Sequence, residues 1–523
     1  MYVRIRKRSI ITTFFGTQPM RRKLLMVPLL LSLGVEPCLA DAHPNVLFIA
    51  VDDLRPELNC YGKTHIKSPN IDDLAARGVV FMRAYCQMAS CCPSRTSLLT
   101  GLRPDETKVF GNHAHFRETL PDIVTLPQHF RGHGYHTQSF GKVFHAAYET
   151  AHGSRAMDDD VSWSVPTWLG SPRNYYSPEG IASARREFAR ESRKSGTALE
   201  DWINQAIRTL ATEAPDVADE VLYDGAMTSL AIDELDKLKS KGKPFFLAVG
   251  FTRPHLPFVA PKKYWDLYDP ATIELTNHDS MPDGAAAIAS NPSELRNYSG
   301  MPRSGPLSDA QARQVKHGYY ACVSFVDALV GRLLDELDQL GLREETIVVL
   351  WGDHGWHLGE LGLWGKNTNF ESATHAPLIV YDPRLMGAAK SARGAKAEGL
   401  VELIDVYPTL CELAGLPVPG NVTGSSFVSL LHDPLQAGKA AAFSQHPRPG
   451  FTNFTSMGHS IRTDRYRCTI WQSVVEPATI EAVELYDYQT DPLESKNIAD
   501  RLENLSLVAE LTAQLRRAMV KHE

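Results

Sequence analysis

The stretch Asn45-Val46-Leu47-Phe48-Ile49-Ala50-Val51-Asp52-Asp53 decides the fold. Its apolar run is continuous rather than alternating, and this pattern predicts a strand that is buried on both faces of a sheet. Similar runs occur at residues 244–251 and 346–351, each after a segment with helical spacing. Strands that alternate with helices predict an α/β fold in which helices flank a large, mainly parallel sheet.

Three segments carry helix signals. Residues 71–77 predict a short helix, and an apolar stripe over residues 217–241 predicts a longer one. Ser308 is placed to cap a third helix that reaches about Leu340.

The remaining segments predict loops and a second domain. Residues 153–197 and 269–306 show no periodicity, and irregular loops of this length usually shape a binding site. A small C-terminal α+β domain is predicted from strand-like pieces and a last helix, at residues 458–463, 466–471, 483–488 and 506–522. The predicted organisation is a leader at residues 1–40, a catalytic domain at 41–435 and a C-terminal domain at 436–523.

The leader resembles an export signal. A basic triplet, Arg21-Arg22-Lys23, precedes an apolar run over residues 24–35, and Cys38-Leu39-Ala40 offers a small-residue cleavage site. The run is shorter than the ~20 residues that span a bilayer, so we expect an exported protein with no transmembrane segment, either periplasmic or secreted, or on a lysosomal-type route if the source is eukaryotic. A lipid anchor on Cys38 is the alternative, and translation from Met20 instead of Met1 stays open.

The charge balance limits the partners. Residues 1–40 hold seven of the 54 Lys/Arg residues and one of the 61 Asp/Glu residues, which leaves 47 basic and 60 acidic residues, a net charge of −13. This balance argues against a general surface for nucleic acid or other polyanions. An anionic substrate would have to be met by a local cluster of cations.

Acidic side chains follow two of the predicted strands. Asp52 and Asp53 come directly after the first strand, and Asp353 and His354 come after the strand at 346–351. Strand ends are where α/β sheets bind their ligands. Three carboxylates that meet there predict a site for a hard divalent cation such as Ca²⁺.

Cationic side chains follow strands in the same way. Lys142 and His145 come after a short strand, His255 follows the strand at 244–251, and Lys366 follows the Asp353 loop. A single lysine or histidine is usually solvated, but several just past strand ends would neutralise a tetrahedral oxyanion and supply protons.

The tract from Ser90 to Gly101 contains Cys91-Cys92-Pro93-Ser94-Arg95. Pro93 suits the first turn of a helix that Gly101 ends. The helix start and Arg95 would both favour negative charge on a nucleophile at position 91. A buried cysteine pair, or half of a disulfide, is the alternative interpretation. With Cys38 removed and Cys91 converted, six cysteines allow 15 pairings, and the sequence does not choose among them.

These motifs resemble, in order and over most of the chain, those of the type I sulfatases, a family with an alkaline-phosphatase-like fold. The Cys-x-Pro-x-Arg signature at Cys91 is the first point of resemblance. The chain is similar in particular to the iduronate-2-sulfatase branch, through tracts that begin at Val51, Gly141, Pro254, Asp353, Met457 and Glu484.

The resemblance implies a chemistry for each position. Cys91 would be oxidised to formylglycine by a formylglycine-generating or an anaerobic sulfatase-maturating enzyme, and its hydrate would attack sulfur. One Ca²⁺ would be held by Asp52, Asp53, Asp353, His354 and the modified Cys91. The catalytic set would be Cys91, Arg95, Lys142, His145, His255 and Lys366, with His255 as the acid that protonates the departing sugar oxygen. His354, where Asn is usual in the wider family, and Cys92 depart from the common pattern.

The substrate that the resemblance implies is a sulfated carbohydrate, with the 2-O-sulfate of a uronic acid as the first choice. Trp356 would stack on the sugar beside Lys142, His255 and Lys366, and a substrate carboxylate would be met by Arg253, Arg462 or Arg465. The alternative is that Trp356 is a packing residue and that these arginines are surface charges. Galactose, fucose or rhamnose sulfates are alternatives. A phosphonate or phosphodiester hydrolase of the same fold, and a glycan-binding protein without activity, are the rival classes.

Overall fold

The structure is a computed structural model that describes residues 43–146, 157–170, 175–191, 209–291, 294–385, 392–451 and 453–520. The predicted leader at residues 1–40 and parts of the predicted loop at 153–197 lie outside these residues. In the part of the chain that the structure describes, no helix combines the length and the apolar character needed to cross a membrane.

A seven-stranded sheet forms the centre of the molecule. Its strands, in spatial order, are Ala395–Ala397, Val79–Phe81, Leu378–Tyr381, Thr346–Gly352, Asn45–Val51, Phe245–Phe251 and His136–Gly141. Only Leu378–Tyr381 runs against its neighbours, and the other pairings are parallel. The predicted mainly parallel α/β sheet is therefore confirmed.

The central strand is buried on both faces, as its sequence predicts. Every second residue from Leu47 packs into one hydrophobic core, and every second residue from Val46 packs into the other. The helix Asp309–Gln339 contributes to the first core and the helix Cys91–Thr100 to the second. Helices thus cover both faces of the sheet.

The helices begin and end close to the predicted positions. The α-helices are Pro69–Arg77, Cys91–Thr100, Pro104–Thr107, Leu126–Gly132, Pro178–Glu191, Tyr223–Lys241, Lys262–Trp265, Asp309–Gln339, Glu371–Thr374, Val406–Leu413, Val428–His432 and Leu505–Val520. Ser308 caps its helix through a reciprocal capping box with Gln311.

The prediction of an irregular loop over residues 153–197 is wrong in part. It contains the helix Pro178–Glu191, whose first turn Ser177 caps by accepting a hydrogen bond from the Gly180 N–H at 3.0 Å. A serine followed by proline is a start signal that was present in the sequence. In the second predicted loop, residues 269–306, the residues that the structure describes form only short 3-10 helices such as Glu294–Asn297.

The C-terminal part forms a four-stranded antiparallel sheet with the strands Ala441–Arg448, Ser456–Thr463, Tyr466–Ser473 and Ile480–Asp487. Leu511 and Leu515 of the last helix pack into the small core of this sheet. Three strands and the helix agree with the sequence, whereas the first strand was not predicted. The boundary between residues 435 and 436 stays a prediction.

Short strand pairs complete the fold. They are Ala84–Tyr85 with His375–Ala376 and Val401–Glu402, His357–Leu358 with Trp364–Gly365, and Thr212–Glu213 with Phe258–Val259.

Candidate active site

Strand register brings the predicted acidic residues together. Val51, the last residue of its strand, is paired with Phe251 on one side and with Gly352 on the other. The residues that follow these three strands therefore leave the sheet at one edge. Asp52 and Asp353 lie at that edge and are at most 1% exposed.

The helix Cys91–Thr100 points its first residue into the same place. Ser90 precedes it in extended conformation, and Gly101 ends it in the left-handed region at φ 70°. The side chain of Asn112 accepts hydrogen bonds from the Cys92 N–H (3.1 Å) and from Ser90 Oγ (3.2 Å), which satisfies one of the free N–H groups at the helix start.

The sulfur of Cys91 lies among charged groups. Its Sγ is 3.2 Å from Lys366 Nζ, 3.4 Å from His354 Nε2 and 3.9 Å from Asp53 Oδ1. Burial, together with the charge of Asp52, raises the pKa of the thiol well above its usual value. An unmodified Cys91 would therefore be a poor nucleophile near neutral pH.

Arg95 lies one helical turn after Cys91 and is fully buried. Its Nε donates to Asp353 (2.9 Å), its Nη2 donates to Asp52 (3.2 Å), and its Nη1 donates to the carbonyls of Val143 (3.1 Å) and Lys142. The guanidinium thus connects the helix to the residues that follow three strands of the central sheet. Its N–H groups donate to protein oxygens in all of these contacts. This geometry makes Arg95 a residue that positions the carboxylates.

Two lysines, each directly after a strand, reach the carboxylates. Lys142 Nζ donates to Asp52 Oδ2 and Lys366 Nζ donates to Asp53 Oδ1, both at 2.5 Å. Asp353 Oδ1 accepts a hydrogen bond from the backbone N–H of Asp53 at 3.0 Å. The predicted carboxylates and lysines therefore form one buried cluster.

The two adjacent aspartates differ in their pKa values. Burial alone would raise the pKa of Asp52, but the charges of Lys142, His255 and Arg95 lower it well below its usual value. Burial raises the pKa of Asp53 well above its usual value despite Lys366, and the charges of Asp52, Glu294 and Asp353 raise it further. Negative charge is therefore in excess around Asp53.

Asp53 also has an unusual backbone conformation, with φ at 61°. Asp is one of the few residues that tolerate this region. The hydroxyl of Tyr319 donates to the Asp53 carbonyl at 2.8 Å and accepts a hydrogen bond from the Arg55 N–H at 2.9 Å. Tyr319 thus holds the turn that aims Asp53 into the cluster, a role that the sequence did not indicate.

His354 presents a lone pair to the cluster. Its Nδ1 lies 2.9 Å from the Gly355 carbonyl, which can only accept, so Nδ1 carries the proton. Nε2 then faces oxygens of Asp53 (3.4 Å) and Asp353 (3.5 Å). Burial lowers the pKa of His354 to about 4, which keeps the ring neutral.

The geometry fits a bound cation. Asp53 Oδ2 is buried and has no hydrogen-bond partner among the described residues. Potential ligand atoms of Asp52, Asp53, Cys91 and His255 lie within 4.8 Å of one another, as do those of Cys91, Asp353 and His354. A carboxylate-rich cluster with excess negative charge and an unpaired oxygen suits a hard divalent ion.

Two further histidines lie near the cluster. His255 donates through Nδ1 to the Leu256 carbonyl (2.7 Å), and its Nε2 lies 3.9 Å from Asp53 Oδ2. Burial and the charge of Lys366 lower the pKa of His255 to about 4. His145 is partly exposed, and its Nδ1 has no hydrogen-bond partner in the described ranges. Removal of its ring from water and the charge of Lys142 lower the pKa of His145 well below the usual value.

One charged residue of the site was not predicted. Glu294 lies on the 3-10 helix Glu294–Asn297, inside a segment that shows only loop character in the sequence. Its Oε1 is 3.6 Å from His255 Nε2 and its Oε2 is 3.6 Å from Lys366 Nζ. No motif marked this position.

The predicted role of Trp356 is wrong in this structure. The residue is 1% exposed, and its ring packs edge-on against Phe258 at 6.3 Å. Lys366 Nζ lies 5.2 Å from the ring centroid. Because its faces are covered, Trp356 cannot stack on a sugar, and it instead supports the lysine.

The arginines proposed for a substrate carboxylate lie in different places. Arg253 donates to the carbonyl of His255 at 2.7 Å. Arg462 pairs with Glu371 at 3.2 Å, and Arg465 pairs with Asp487 at 2.7 Å, both in the C-terminal sheet. Of the three, only Arg253 contacts a residue of the cluster.

The disulfide alternative for Cys91 and Cys92 finds no support. All seven cysteines of the described residues are free. Cys92 Sγ lies 3.6 Å from the Ala114 carbonyl, and burial raises its pKa to about 12, which makes this thiol unreactive.

A nucleophile position at a helix start, two lysines and a carboxylate cluster define a hydrolase for esters of a tetrahedral oxyanion. Known proteins agree with this class. Residues 44–416 match the family model described as Sulfatase, and residues 359–521 match the model described as N-sulphoglucosamine sulphohydrolase, C-terminal.

Individual relatives cover most of the chain. It is 35% identical to the iduronate 2-sulfatase of Homo sapiens over 517 residues, which covers 87% of this chain and 90% of that protein. It is 32% identical to a sulfatase of Formosa agariphila over 482 residues, with 90% and 86% covered. The chain therefore belongs to the sulfatase family and is a sulfuric ester hydrolase.

Solved structures agree with the fold. The phosphonate monoester hydrolase of Agrobacterium radiobacter superposes with a TM-score of 0.71 at 21% identity, over 92% of this chain and 96% of that one. A 2-O GAG sulfatase superposes with a TM-score of 0.67 at 22% identity, over 92% and 93%. At these identities the likeness shows the fold alone, and it confirms the alkaline-phosphatase-like architecture.

Proposed function

We propose that this chain hydrolyses sulfate esters of carbohydrates, with the 2-O-sulfate of a uronic acid as its preferred substrate. The observation that carries the proposal is the position of Cys91, at a helix start between Lys366 and His354 and next to three carboxylates. The iduronate 2-sulfatase relatives support the choice of sugar.

The proposal includes two groups that the chain acquires. Cys91 is converted to formylglycine by a formylglycine-generating or anaerobic sulfatase-maturating enzyme, and one Ca²⁺ binds Asp52, Asp53, Asp353, His354 and the modified residue. The Ca²⁺ would supply positive charge to the sulfate oxygens, and the formylglycine hydrate would supply the attacking hydroxyl. The raised pKa of the Cys91 thiol supports this conversion, since it makes the unmodified residue a poor nucleophile.

The lysines bind the sulfate group. Neighbouring carboxylates raise the pKa of Lys142 and of Lys366 in spite of burial, so both stay charged at every physiological pH. Each ammonium group carries three donors on a flexible stem, which lets it turn from its carboxylate toward a sulfate oxygen. Charge that develops on the sulfuryl oxygens is stabilised in this way.

The leaving sugar departs on the side of His255. The His255 side chain is 27% exposed, whereas Asp52, Asp353 and Arg95 are almost fully buried, so the entrance to the cluster lies at His255. In its protonated form, which the negative charge of a bound sulfate ester favours over the neutral ring, His255 donates a proton from Nε2 to the ester oxygen as the bond to sulfur breaks. His145 accepts a proton in the second half of the reaction, when sulfate is expelled.

Export of the mature chain is part of the proposal, because residues 1–40 have the pattern of a signal peptide.

The test is sulfate release from a panel of defined sugars with a phosphonate monoester as control, using enzyme made together with a maturating enzyme. We expect uronate 2-sulfates to give the highest kcat/KM and the phosphonate to be at least about a hundredfold slower. Preference for a galactose or fucose sulfate would refute the sugar assignment, and faster cleavage of the phosphonate would refute sulfate as the native ester.

A further inference from the structure

Glu294 lies between His255 and Lys366, the residues to which the proposed function assigns the leaving group and the sulfate group. One carboxylate oxygen lies 3.6 Å from His255 Nε2, and the other lies 3.6 Å from Lys366 Nζ. Both distances are those of ion pairs, longer than a good hydrogen bond. The carboxylate thus faces the Lys366 ammonium with one oxygen and the His255 ring with the other, and when His255 is protonated it attracts both groups and fixes the spacing between them.

The backbone holds Glu294 in this position. Leu295, the next residue, is 1% exposed in the main core. A Cβ added to Gly365, which has a φ of 152°, would lie 3.0 Å from the Glu294 nitrogen. The 3-10 helix therefore packs directly against Gly365, the residue before Lys366, and the positive φ and close approach at Gly365 favour glycine there.

Glu294 also lies at the entrance. Its side chain is 15% exposed and that of His255 is 27% exposed, while the Asp53 side chain on the far side of His255 is fully buried. Glu294 and His255 are thus the more exposed residues of this part of the cluster, on the side where the proposed function places the leaving oxygen. Glu294 stands outside the set of metal-ligand candidates, so its loss would leave that set complete.

We propose that Glu294 is a positioning residue for protonation of the leaving group: its carboxylate attracts the protonated His255 ring and holds it at a fixed distance from Lys366, where Nε2 can reach the ester oxygen. The inference rests on the role of His255 in the proposed function. A positioning residue of this kind matters for esters whose leaving group needs a proton, and it matters little for those that do not.

The test compares two sulfate esters. Sugar sulfates leave as alkoxides and need the acid, whereas an aryl sulfate such as 4-nitrocatechol sulfate leaves as a stabilised phenolate. The Glu294→Gln variant should lose about tenfold or more in kcat on the sugar sulfate and less than about twofold on the aryl sulfate, with KM changed less than about threefold on both. Glu294→Asp, which keeps the charge, should recover part of the loss on the sugar sulfate.

The controls separate this inference from the proposed function. Asp283→Asn removes an exposed carboxylate from the same loop and should match the wild-type enzyme on both esters. His255→Ala should show a larger difference between the esters, on the order of a hundredfold. If His255→Ala loses the same activity on the sugar sulfate and on the aryl sulfate, the assignment of His255 as the acid fails. If His255→Ala does discriminate between the two esters but Glu294→Gln loses activity equally on both or on neither, only the role of Glu294 is refuted.

Discussion

Replacing Arg95 with lysine tests whether the cluster is held by a buried fork of hydrogen bonds or by charge alone. The guanidinium donates to carboxylates of Asp353 (2.9 Å) and Asp52 (3.2 Å) in different directions, and to backbone carbonyls as well. A lysine ammonium keeps the charge but lacks the planar fork that reaches both carboxylates at once. We therefore expect at least two charge-assisted hydrogen bonds to be lost.

The magnitude follows from these contacts. A hydrogen bond to a charged group contributes about 1.5–3 kcal/mol, so the loss of two predicts about 3–6 kcal/mol. The control is Arg77→Lys, because Arg77 pairs with Asp73 at 2.8 Å on the surface, where the two side chains are 34% and 50% exposed. An exposed pair of this kind contributes about 0–1 kcal/mol, so this control should leave stability nearly unchanged.

The assay is denaturant unfolding followed by tryptophan fluorescence, with sulfate release measured on the same samples. Arg95→Lys should unfold at a clearly lower denaturant concentration than Arg77→Lys and should lose most activity even where it is folded. Added Ca²⁺ should restore part of the stability, because it compensates the charge of the carboxylates that Arg95 holds. Equal stability of the two variants would refute the structural role of the fork.

Three further predictions concern modification, metal and pH. Peptide mass spectrometry of active enzyme should find an aldehyde at Cys91, and finding only free thiol in fully active protein would contradict the modification. Asp353→Asn should retain the fold but lose bound metal by elemental analysis and nearly all turnover, and a variant with full activity and no metal would contradict the ligand set. Glu57→Gln should lower stability by about 3 kcal/mol at pH 7: burial would raise the pKa of Glu57, but Arg55 lowers it from 4.5 to about 2. Because this folded-state pKa is lowered, the contribution of Glu57 is complete above pH 4.5 and is lost as the pH falls toward 2, so the difference between wild type and variant in denaturant unfolding should vanish there.

The sequence predicted the site best where chemistry follows a strand. Asp52 and Asp353 each come after an apolar run and Lys142 comes after a short strand of mixed polar and apolar residues, and parallel register brings the residues that follow such strands to one edge of a sheet. No comparable rule predicts which loop residue will contact the site or whether an aromatic ring will be buried. Glu294 reaches the site from a segment without periodicity, and Trp356 follows a motif but turns into the core, so neither position could be read from spacing.

The first C-terminal strand, Ala441–Arg448, shows a different limit. Its polar residues, among them Gln445 and His446, obscure the pattern of a buried strand. They are buried because the strand packs against the segment before the Cys91 helix, where Gln445 donates its N–H to the Gln87 carbonyl at 2.8 Å. Polar groups are tolerated in such a place only when they find partners, and Ser444 finds one in the carbonyl of Cys86, which lies more than 300 residues away in sequence.

The same contacts bear on how the C-terminal sheet serves the site. Arg448 donates to the Asn367 carbonyl at 2.8 Å, and Asn367 donates its N–H to the Ala89 carbonyl at 3.1 Å. Arg448 thus fixes the residue after Lys366, which in turn is hydrogen-bonded to the residue before Ser90. Because Lys366 Nζ lies 3.2 Å from Cys91 Sγ, these contacts connect the C-terminal sheet to the two residues that the proposed function uses as sulfate-binding lysine and as nucleophile.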